Sequence, residues 1–165
     1  MKKQDGVALP ILIIIIAIII VVTAILINYV KNMAEERKGQ DLKTNMLLIQ
    51  AQTKKDLEEF YLQTANLDEN KEEDKARIEQ VKRETLKGIL VQGSEIENSI
   101  PTEITINENC YYLDENILTE MGIKDRNSED YGYFVVKYDF ENKKIEVINT
   151  LGYQGKYTLT ELSEE

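Results

Sequence analysis

The chain of 165 residues is poor in four residue types. It has no histidine and no tryptophan, one cysteine and two prolines. Without histidine a serine–histidine–aspartate triad cannot form, and the commonest general base and metal ligand is missing. The single cysteine, Cys110, cannot form an intramolecular disulfide and has no second cysteine at metal-binding spacing. We therefore predict that Cys110 is a small, buried and unreactive residue.

Basic residues are also in the minority, with 20 Lys and Arg against 30 Asp and Glu. Nucleic-acid affinity depends largely on basic side chains that displace counterions from phosphates, so we expect no direct contact with nucleic acid. Catalytic motifs are missing as well: Ser94 does not lie in a GxSxG sequence, and no SxxK occurs. The acidic stretch with Asp125, Asn127 and Glu129 lacks the glycine and final glutamate of a calcium loop. We predict no enzyme activity, no catalytic residue, no cofactor and no metal.

The most prominent feature of the sequence is one long hydrophobic run near the N-terminus. Residues 7–27 contain one polar side chain, Thr23, and ten isoleucines. As a helix rising 1.5 Å per residue, this run spans roughly 30 Å, the thickness of the hydrocarbon core of a bilayer. Pro10 lies in the first turn, where its missing N–H costs no helical hydrogen bond. The pattern predicts a single transmembrane helix over residues 7–30.

The charges on either side of the run predict its orientation. Lys2 and Lys3 precede it, whereas Glu35 and Glu36 follow soon after Lys31. Because basic residues stay on the cytoplasmic side, we expect a cytoplasmic N-terminus and an extracytoplasmic C-terminal domain, in a single-pass protein of the cell membrane.

Three interpretations of the N-terminal segment remain open. The first is an uncleaved signal anchor. The second is a secretory signal peptide cleaved after Ala24, although the run is longer than a usual signal peptide and continues to Ile27. The third starts from Gly6, which ends the short charged leader Met1-Lys2-Lys3-Gln4-Asp5-Gly6 directly before the apolar run.

That leader resembles the class III signal of type IV pilins and type II secretion pseudopilins. The resemblance implies that a prepilin peptidase cuts between Gly6 and Val7 and that Val7 becomes N-methylated. The chain departs from the usual pattern at Ile11, where most pilins carry a glutamate. This departure, together with the junction Gly6-Val7-Ala8-Leu9, resembles minor pseudopilins that begin or cap a filament.

Three further stretches carry a resemblance to the pilin-like proteins of Gram-positive type IV pilus or type II secretion-like systems. They are residues 41–51 (DLKTNMLLIQA), 111–122 and 133–159. The resemblance implies a long N-terminal helix, a variable helical region and a small antiparallel sheet. It also implies other pilin-like subunits, a prepilin peptidase and an assembly platform as partners, and a place in a surface filament.

The residue pattern independently predicts the same long helix. Residues 11–65 contain no proline and one glycine, Gly39, which we expect to be a hinge. Beyond it, apolar residues recur at spacings of three and four, as on one face of an α-helix. They are Leu42, Met46, Ile49, Thr53, Leu57 and Phe60. We expect this face to cover the core of the domain, because a coiled coil between chains would need a stricter period over more heptads.

After residue 65 the pattern predicts smaller elements. A loop is followed by a second helix, capped by Asn70 with Glu73 and ending between Gly88 and Gly93. Another helix begins after Asp114 as N-cap and ends at Gly122. Strands are predicted at residues 133–140 and 145–150, and a third at 156–159, with a polar turn over 141–144.

Together these elements predict an α+β fold in which a long helix packs against a small antiparallel sheet. The predicted segments are a leader (1–6), a transmembrane helix (7–30), its extracytoplasmic continuation (31–65), a loop with a second helix (66–93) and a small α+β region (94–165).

The resemblance favours a pilin-like or pseudopilin subunit that assembles through its apolar helix. Ala17 and Ala24 lie seven residues apart and mark one side of that helix where a neighbouring helix can approach closely. The alternative is an uncleaved single-pass membrane protein with an extracytoplasmic partner-binding domain.

Overall fold

The computed structural model describes residues 8–123 and 131–164, except for the side chains of residues 8–14. The described chain has an α+β fold, with a long N-terminal helix, three shorter α-helices and a five-stranded antiparallel sheet. It divides into two compact units, Met1–Gln40 and Asp41–Glu165, and each is described by itself.

The long helix, α1, runs from Ala8 to Thr64. Its only proline, Pro10, lies in the first turn, so no later residue interrupts the helical hydrogen bonds. Gly39, the expected hinge, is itself helical, and the boundary between the two units follows it between Gln40 and Asp41.

The part of α1 that belongs to the second unit is amphipathic, as predicted. Five of the six predicted core residues are buried and the sixth, Leu42, is half-buried against them. Leu47 and Leu48 lie off this face and are 47% and 44% exposed. The spacing of three and four therefore located the core face of the helix correctly.

The remaining elements follow in chain order. They are α2 (Glu72–Thr85), β1 (Ile89–Leu90), a 3₁₀ turn (Glu97–Ser99), β2 (Cys110–Leu113), α3 (Glu115–Glu120), β3 (Phe134–Asp139), β4 (Lys144–Tyr153), β5 (Lys156–Thr158) and α4 (Leu159–Ser163). The spatial order of the strands is β1-β2-β3-β4-β5, and every neighbouring pair is antiparallel. Each strand therefore lies beside the strand that precedes it in the sequence.

The sheet buries both of its faces. On one face, Phe134, Val136 and Tyr138 of β3 join the larger core with α1, and α2 contributes Val81. On the other face, Val135 pairs with Ile148 of β4 in a smaller core. That core is covered by a largely irregular segment that supplies Val91, Ile96 and Ile100. Both faces of β3 thus contribute buried apolar residues.

Two strands were missed by the sequence-based prediction, which expected three strands and not five. The strand β1 contains only two residues, and β2 contains four without polar alternation, Cys110-Tyr111-Tyr112-Leu113. Neither has a local signal strong enough to identify it. The strand β2 forms because β3 offers an edge, against which Tyr111 pairs with Val136, and β1 in turn pairs with the other edge of β2.

The predicted cap of α2 was wrong. The N-cap residue is Lys71, which makes no side-chain cap hydrogen bond, so Asn70 and Glu73 form no capping box. The reason is local competition: the backbone N–H and side-chain amide of Asn70 both donate to Asp68 Oδ1, at 3.0 Å each. Asn70 is thereby held in a turn before the helix. The helix also ends at Thr85, earlier than expected.

Both ends of α3 agree with the prediction. Asp114 Oδ1 accepts from the backbone N–H of Ile117 at 2.8 Å, as an N-cap does. At the other end Gly122 has φ +81°, and the N–H of Ile123 donates to the carbonyl of Leu118 at 2.9 Å. This is the Schellman arrangement, in which glycine takes the left-handed position.

The last helix, α4, was not predicted, and Leu159 had been assigned to the third strand. Thr158 is its N-cap, and Glu161 completes a capping box with it. The apolar residues of this short helix, Leu159 and Leu162, are buried in the larger core. One turn of helix has too few residues to give a periodic signal in the sequence. The packing of Leu159 and Leu162 in the core therefore determines that this segment is helical.

Candidate membrane and assembly surface

The first unit presents an apolar helical surface. From Ile15 to Val30 every side chain of α1 is exposed within the chain. This is the one helix of the described residues that is long and apolar enough to cross a membrane, with a mean hydropathy of 2.1 and none of its most apolar window buried. A surface of this kind needs an apolar environment outside the chain.

The backbone polar groups of this surface, and the hydroxyl of Thr23, are satisfied within the helix. Backbone amides and carbonyls pair along the helix, which is the arrangement that hydrocarbon requires. The hydroxyl of Thr23 donates to the carbonyl of Ile19 at 2.7 Å. Tyr29 and then Lys31 follow at the end of the apolar stretch, where aromatic and basic residues suit a membrane interface.

Ala17 and Ala24 are placed on α1 as the sequence analysis assumed, with both side chains exposed. Seven residues make almost two turns, so the two alanines lie on the same side of the helix. Ala17 also lines a shallow depression with Ile18, Val21 and Val22. A neighbouring helix can approach closely at such a depression. Helix packing at these alanines stays a prediction.

Several predicted positions lie outside the described residues. They include the cleavage junction between Gly6 and Val7, with the N-methylation position Val7, and the acidic stretch with Asp125, Asn127 and Glu129. Ile11 is part of the helical backbone of α1, but its side chain is not described.

Cys110 is buried, as predicted, at the start of β2. Its Sγ donates to Asn107 Oδ1 at 3.3 Å, and the backbone N–H of Asn107 lies 3.5 Å from the sulfur. Burial raises the pKa of the thiol, which disfavours the reactive thiolate. Over residues 8–123 and 131–164, no group of three or more His, Cys, Asp or Glu side chains is positioned to hold a metal ion.

The second unit contains a feature that the sequence analysis did not find, a cleft of about 690 Å³ that we call the α2 cleft. Its walls come from the C-terminal end of α1, from α2, from the residues before β2 and from the turn between β3 and β4. The lining residues include Phe60, Tyr61, Glu79, Lys82, Glu108 and Phe140. These residues are scattered over 80 positions of the sequence, so no motif could have indicated the cleft.

The chain has no significant match among protein-family models, curated proteins or solved structures. Its function is therefore inferred from its own residues and their geometry.

Proposed function

We propose that this chain is a pilin-like or pseudopilin subunit that assembles through its apolar helix into a type IV pilus or type II secretion-like filament. The observation that carries the proposal is that one helix, α1, serves two purposes. Its first part is an exposed apolar surface, and its second part is the core-covering helix of an α+β unit. A subunit that is stored in a membrane and later packed into a bundle needs such a helix.

In this mechanism the apolar part of α1 exchanges lipid for the same part of neighbouring subunits. Lipid tails are as apolar as isoleucine, so the exchange gains little from the hydrophobic effect and depends on close helix packing. Ala17 and Ala24 provide the side of closest approach. The energy for extraction from the membrane comes from an assembly platform.

The proposal also specifies the membrane topology, the processing and the partners of the subunit. Before assembly the protein spans the cell membrane once, with its N-terminus in the cytoplasm and the sheet unit outside. A prepilin peptidase removes residues 1–6 after Gly6, and Val7 is methylated. Ile11 favours a minor subunit, because it leaves no carboxylate in the apolar run to pair with the free amine of a neighbour. The partners are the membrane, other pilin-like subunits, the prepilin peptidase and the assembly platform, without direct contact to nucleic acid.

Mass spectrometry of the mature N-terminus tests this proposal in cells with an active prepilin peptidase. A chain beginning at N-methylated Val7 supports it, whereas Met1 supports an uncleaved anchor and Ile25 supports secretion. Gly6→Leu should block the cut, and Gly39→Ala, which changes a glycine outside the leader, should leave it unchanged. A mature chain that still begins at Met1 would end the proposal.

A second experiment tests packing at the alanines. Ala17→Leu with Ala24→Leu should reduce incorporation into filaments, because larger side chains prevent close approach. Ile19→Leu with Leu26→Ile is the control, since these residues lie on the opposite side of the helix and the exchange keeps both the volume and the apolar character of the surface. Equal incorporation of the two variants in sheared filament fractions would show that this side of the helix does not form contacts.

The second candidate is an uncleaved single-pass membrane protein whose extracytoplasmic unit binds a partner without polymerising. The observation that favours it is that the sheet unit has two cores of its own and an open cleft. It predicts Met1 at the mature N-terminus and no incorporation into filaments.

A further inference from the structure

The α2 cleft has the dimensions of a small-molecule site. Its volume of about 690 Å³ lies within the usual range of such sites. A neighbouring cleft of about 600 Å³ shares three of its lining residues, Glu79, Lys82 and Glu108. These three charged residues therefore stand together at the boundary between the two clefts.

The floor of the α2 cleft is aromatic. The rings of Phe60 and Phe140 are 5.4 Å apart, as are those of Phe60 and Tyr61. The Tyr61 hydroxyl donates to the carbonyl of Phe140 at 2.6 Å, which fixes the end of α1 to the turn after β3. Phe60 is only 6% exposed, and an ammonium lies 4.8 Å from the centre of each of the other two rings, Lys143 at Tyr61 and Lys82 at Phe140. The half-buried Tyr61 and Phe140 therefore provide the ring surface that an apolar group can contact beside these ammonium groups.

Among the described residues, the charged groups at the boundary form no ion pairs with each other. The ion pairs formed by the described residues are Lys75–Glu72 and Lys87–Glu120. The Lys82 ammonium instead donates to Asn109 Oδ1 at 3.1 Å and lies 4.8 Å from the centre of the Phe140 ring. An ammonium has three donors, so this position leaves capacity for an anionic ligand atom.

The signs of the lining charges narrow the ligand class. Three lysines (Lys75, Lys82 and Lys143) and three glutamates (Glu69, Glu79 and Glu108) line the cleft. A simple anion would be repelled by the glutamates, and a simple cation by the lysines. A ligand that carries both charges on neighbouring atoms can satisfy both.

We propose that the α2 cleft binds a free α-amino acid with an aromatic or large apolar side chain. The ligand carboxylate accepts from Lys82, its ammonium lies between Glu79 and Glu108, and its side chain packs on the half-buried rings of Tyr61 and Phe140. The site is open to solvent, so affinity is modest. For phenylalanine, with about twelve non-hydrogen atoms, we expect a dissociation constant on the order of 1 mM.

Nuclear magnetic resonance titration of the full chain in detergent micelles tests the site. The probe is L-phenylalanine, compared with phenylacetate, which lacks the ammonium, and phenethylamine, which lacks the carboxylate. We expect saturable shifts of the amides of Lys82, Asn109 and Phe140 with phenylalanine, and weaker binding of each partial ligand. Equal affinity of phenylalanine and either partial ligand would overturn the proposal, as would the lack of a saturable shift up to the solubility limit.

Two substitutions separate the two charges of the ligand. Lys82→Met should weaken phenylalanine binding about tenfold while leaving phenethylamine binding within about twofold, because only the carboxylate contact is lost. Glu108→Gln, in an exposed loop, should weaken phenylalanine but not phenylacetate.

The matched control is Lys54→Met, which removes an exposed ammonium of α1 that does not line the cleft. It should bind phenylalanine like the unmodified chain. If it loses affinity as Lys82→Met does, the effect is one of overall charge and the proposal fails. Unchanged amide positions at Gly122 and Ile123 confirm that each variant is folded, and Glu108→Gln remains a test if Lys82→Met does not fold.

Discussion

The two parts of α1 both carry many apolar side chains, but they place them differently. Residues 15–30 expose apolar side chains in every direction, whereas residues 42–60 bury one face and expose the others. One threonine in each part makes the same hydrogen bond. The hydroxyls of Thr23 and Thr53 each donate to the carbonyl four residues earlier, at 2.7 and 2.8 Å. One threonine is exposed and the other is fully buried, yet both satisfy their polar atom inside the helix.

The difference between the two parts lies in what supplies their apolar surroundings. The sheet unit provides its own, through the core that joins Met46, Ile49 and Leu57 to β3 and β4. Among the described residues of its own unit, the first part has no such layer, so we expect its apolar surroundings to come from outside the chain. Substitutions in the first part should therefore affect insertion and assembly, and those in the second part should affect folding.

The largest effect is expected when charge enters the apolar part. Ile16→Asp with Ile19→Asp adds about 6 kcal/mol to the free energy of insertion, at about 3 kcal/mol for each central aspartate. The eight isoleucines that remain in the run contribute roughly 0.5 kcal/mol each in favour of insertion, about 4 kcal/mol in all, so the two aspartates outweigh them. Carbonate extraction should move the variant out of the membrane fraction.

The control for that experiment is the pair Leu47→Asp with Leu48→Asp, which places two aspartates on the exposed side of the second part. It should stay in the membrane. Equal extraction of the two double variants would remove the distinction between the two parts of α1.

The next effect concerns the core face. Ile49→Ala should lower the free energy of unfolding by about 4 kcal/mol, because Ile49 is fully buried and the cavity adds to the lost transfer energy. Leu48→Ala, at the neighbouring exposed position, should change it by less than about 1 kcal/mol. Thermal unfolding followed by circular dichroism measures both. If both variants lost a similar amount of unfolding free energy, the face that contains Ile49 would not be the only one that packs against the core.

A smaller effect depends on pH. Burial raises the pKa of Asp56, and the nearby Lys87 offsets only part of that rise. The folded chain therefore keeps the Asp56 proton to a higher pH than the unfolded chain does. The proton on Asp56 therefore contributes to the free energy of unfolding. This contribution is fully present below the ordinary pKa of 3.8 and is lost as the pH rises through the raised pKa. Asp56→Asn should raise the unfolding temperature at pH 7 and reduce the pH dependence.

Asp68→Asn is the control of opposite sign. The hydrogen bonds from Asn70 lower the pKa of Asp68, so its contribution is present at neutral pH and is lost on acidification. This variant should lower the unfolding temperature at pH 7. A shift of the same sign in both variants would contradict the assignment for Asp56.

The smallest effect is expected at the two threonines. Thr53→Val and Thr23→Val each remove a hydroxyl whose acceptor carbonyl lies within the same helix. Because valine keeps the shape, we expect changes below about 1 kcal/mol in unfolding for Thr53→Val and no loss of membrane insertion for Thr23→Val. A cost above about 2 kcal/mol at Thr53 would reveal a further partner of its hydroxyl.

Local patterns predicted the long helix α1 and both ends of the short helix α3. The core face of α1, the N-cap Asp114 and the left-handed Gly122 were all identified from spacing and cap chemistry. Each depends on residues within a few positions of one another. The cap of α2 was missed although it is local, because Asp68 competes for the amide groups of Asn70.

The apolar first part and the amphipathic second part of α1 follow from the amino-acid sequence alone. Length and periodicity decide these properties, and no other segment is needed to express them. Three features arise only through tertiary contacts. The residues of β1 and β2 become strands, Val135 and Ile148 form a second core, and Lys82, Glu108 and Phe140 line one cleft. These features depend on contacts between residues far apart in the chain, whose favourable energy appears only after the sheet has formed.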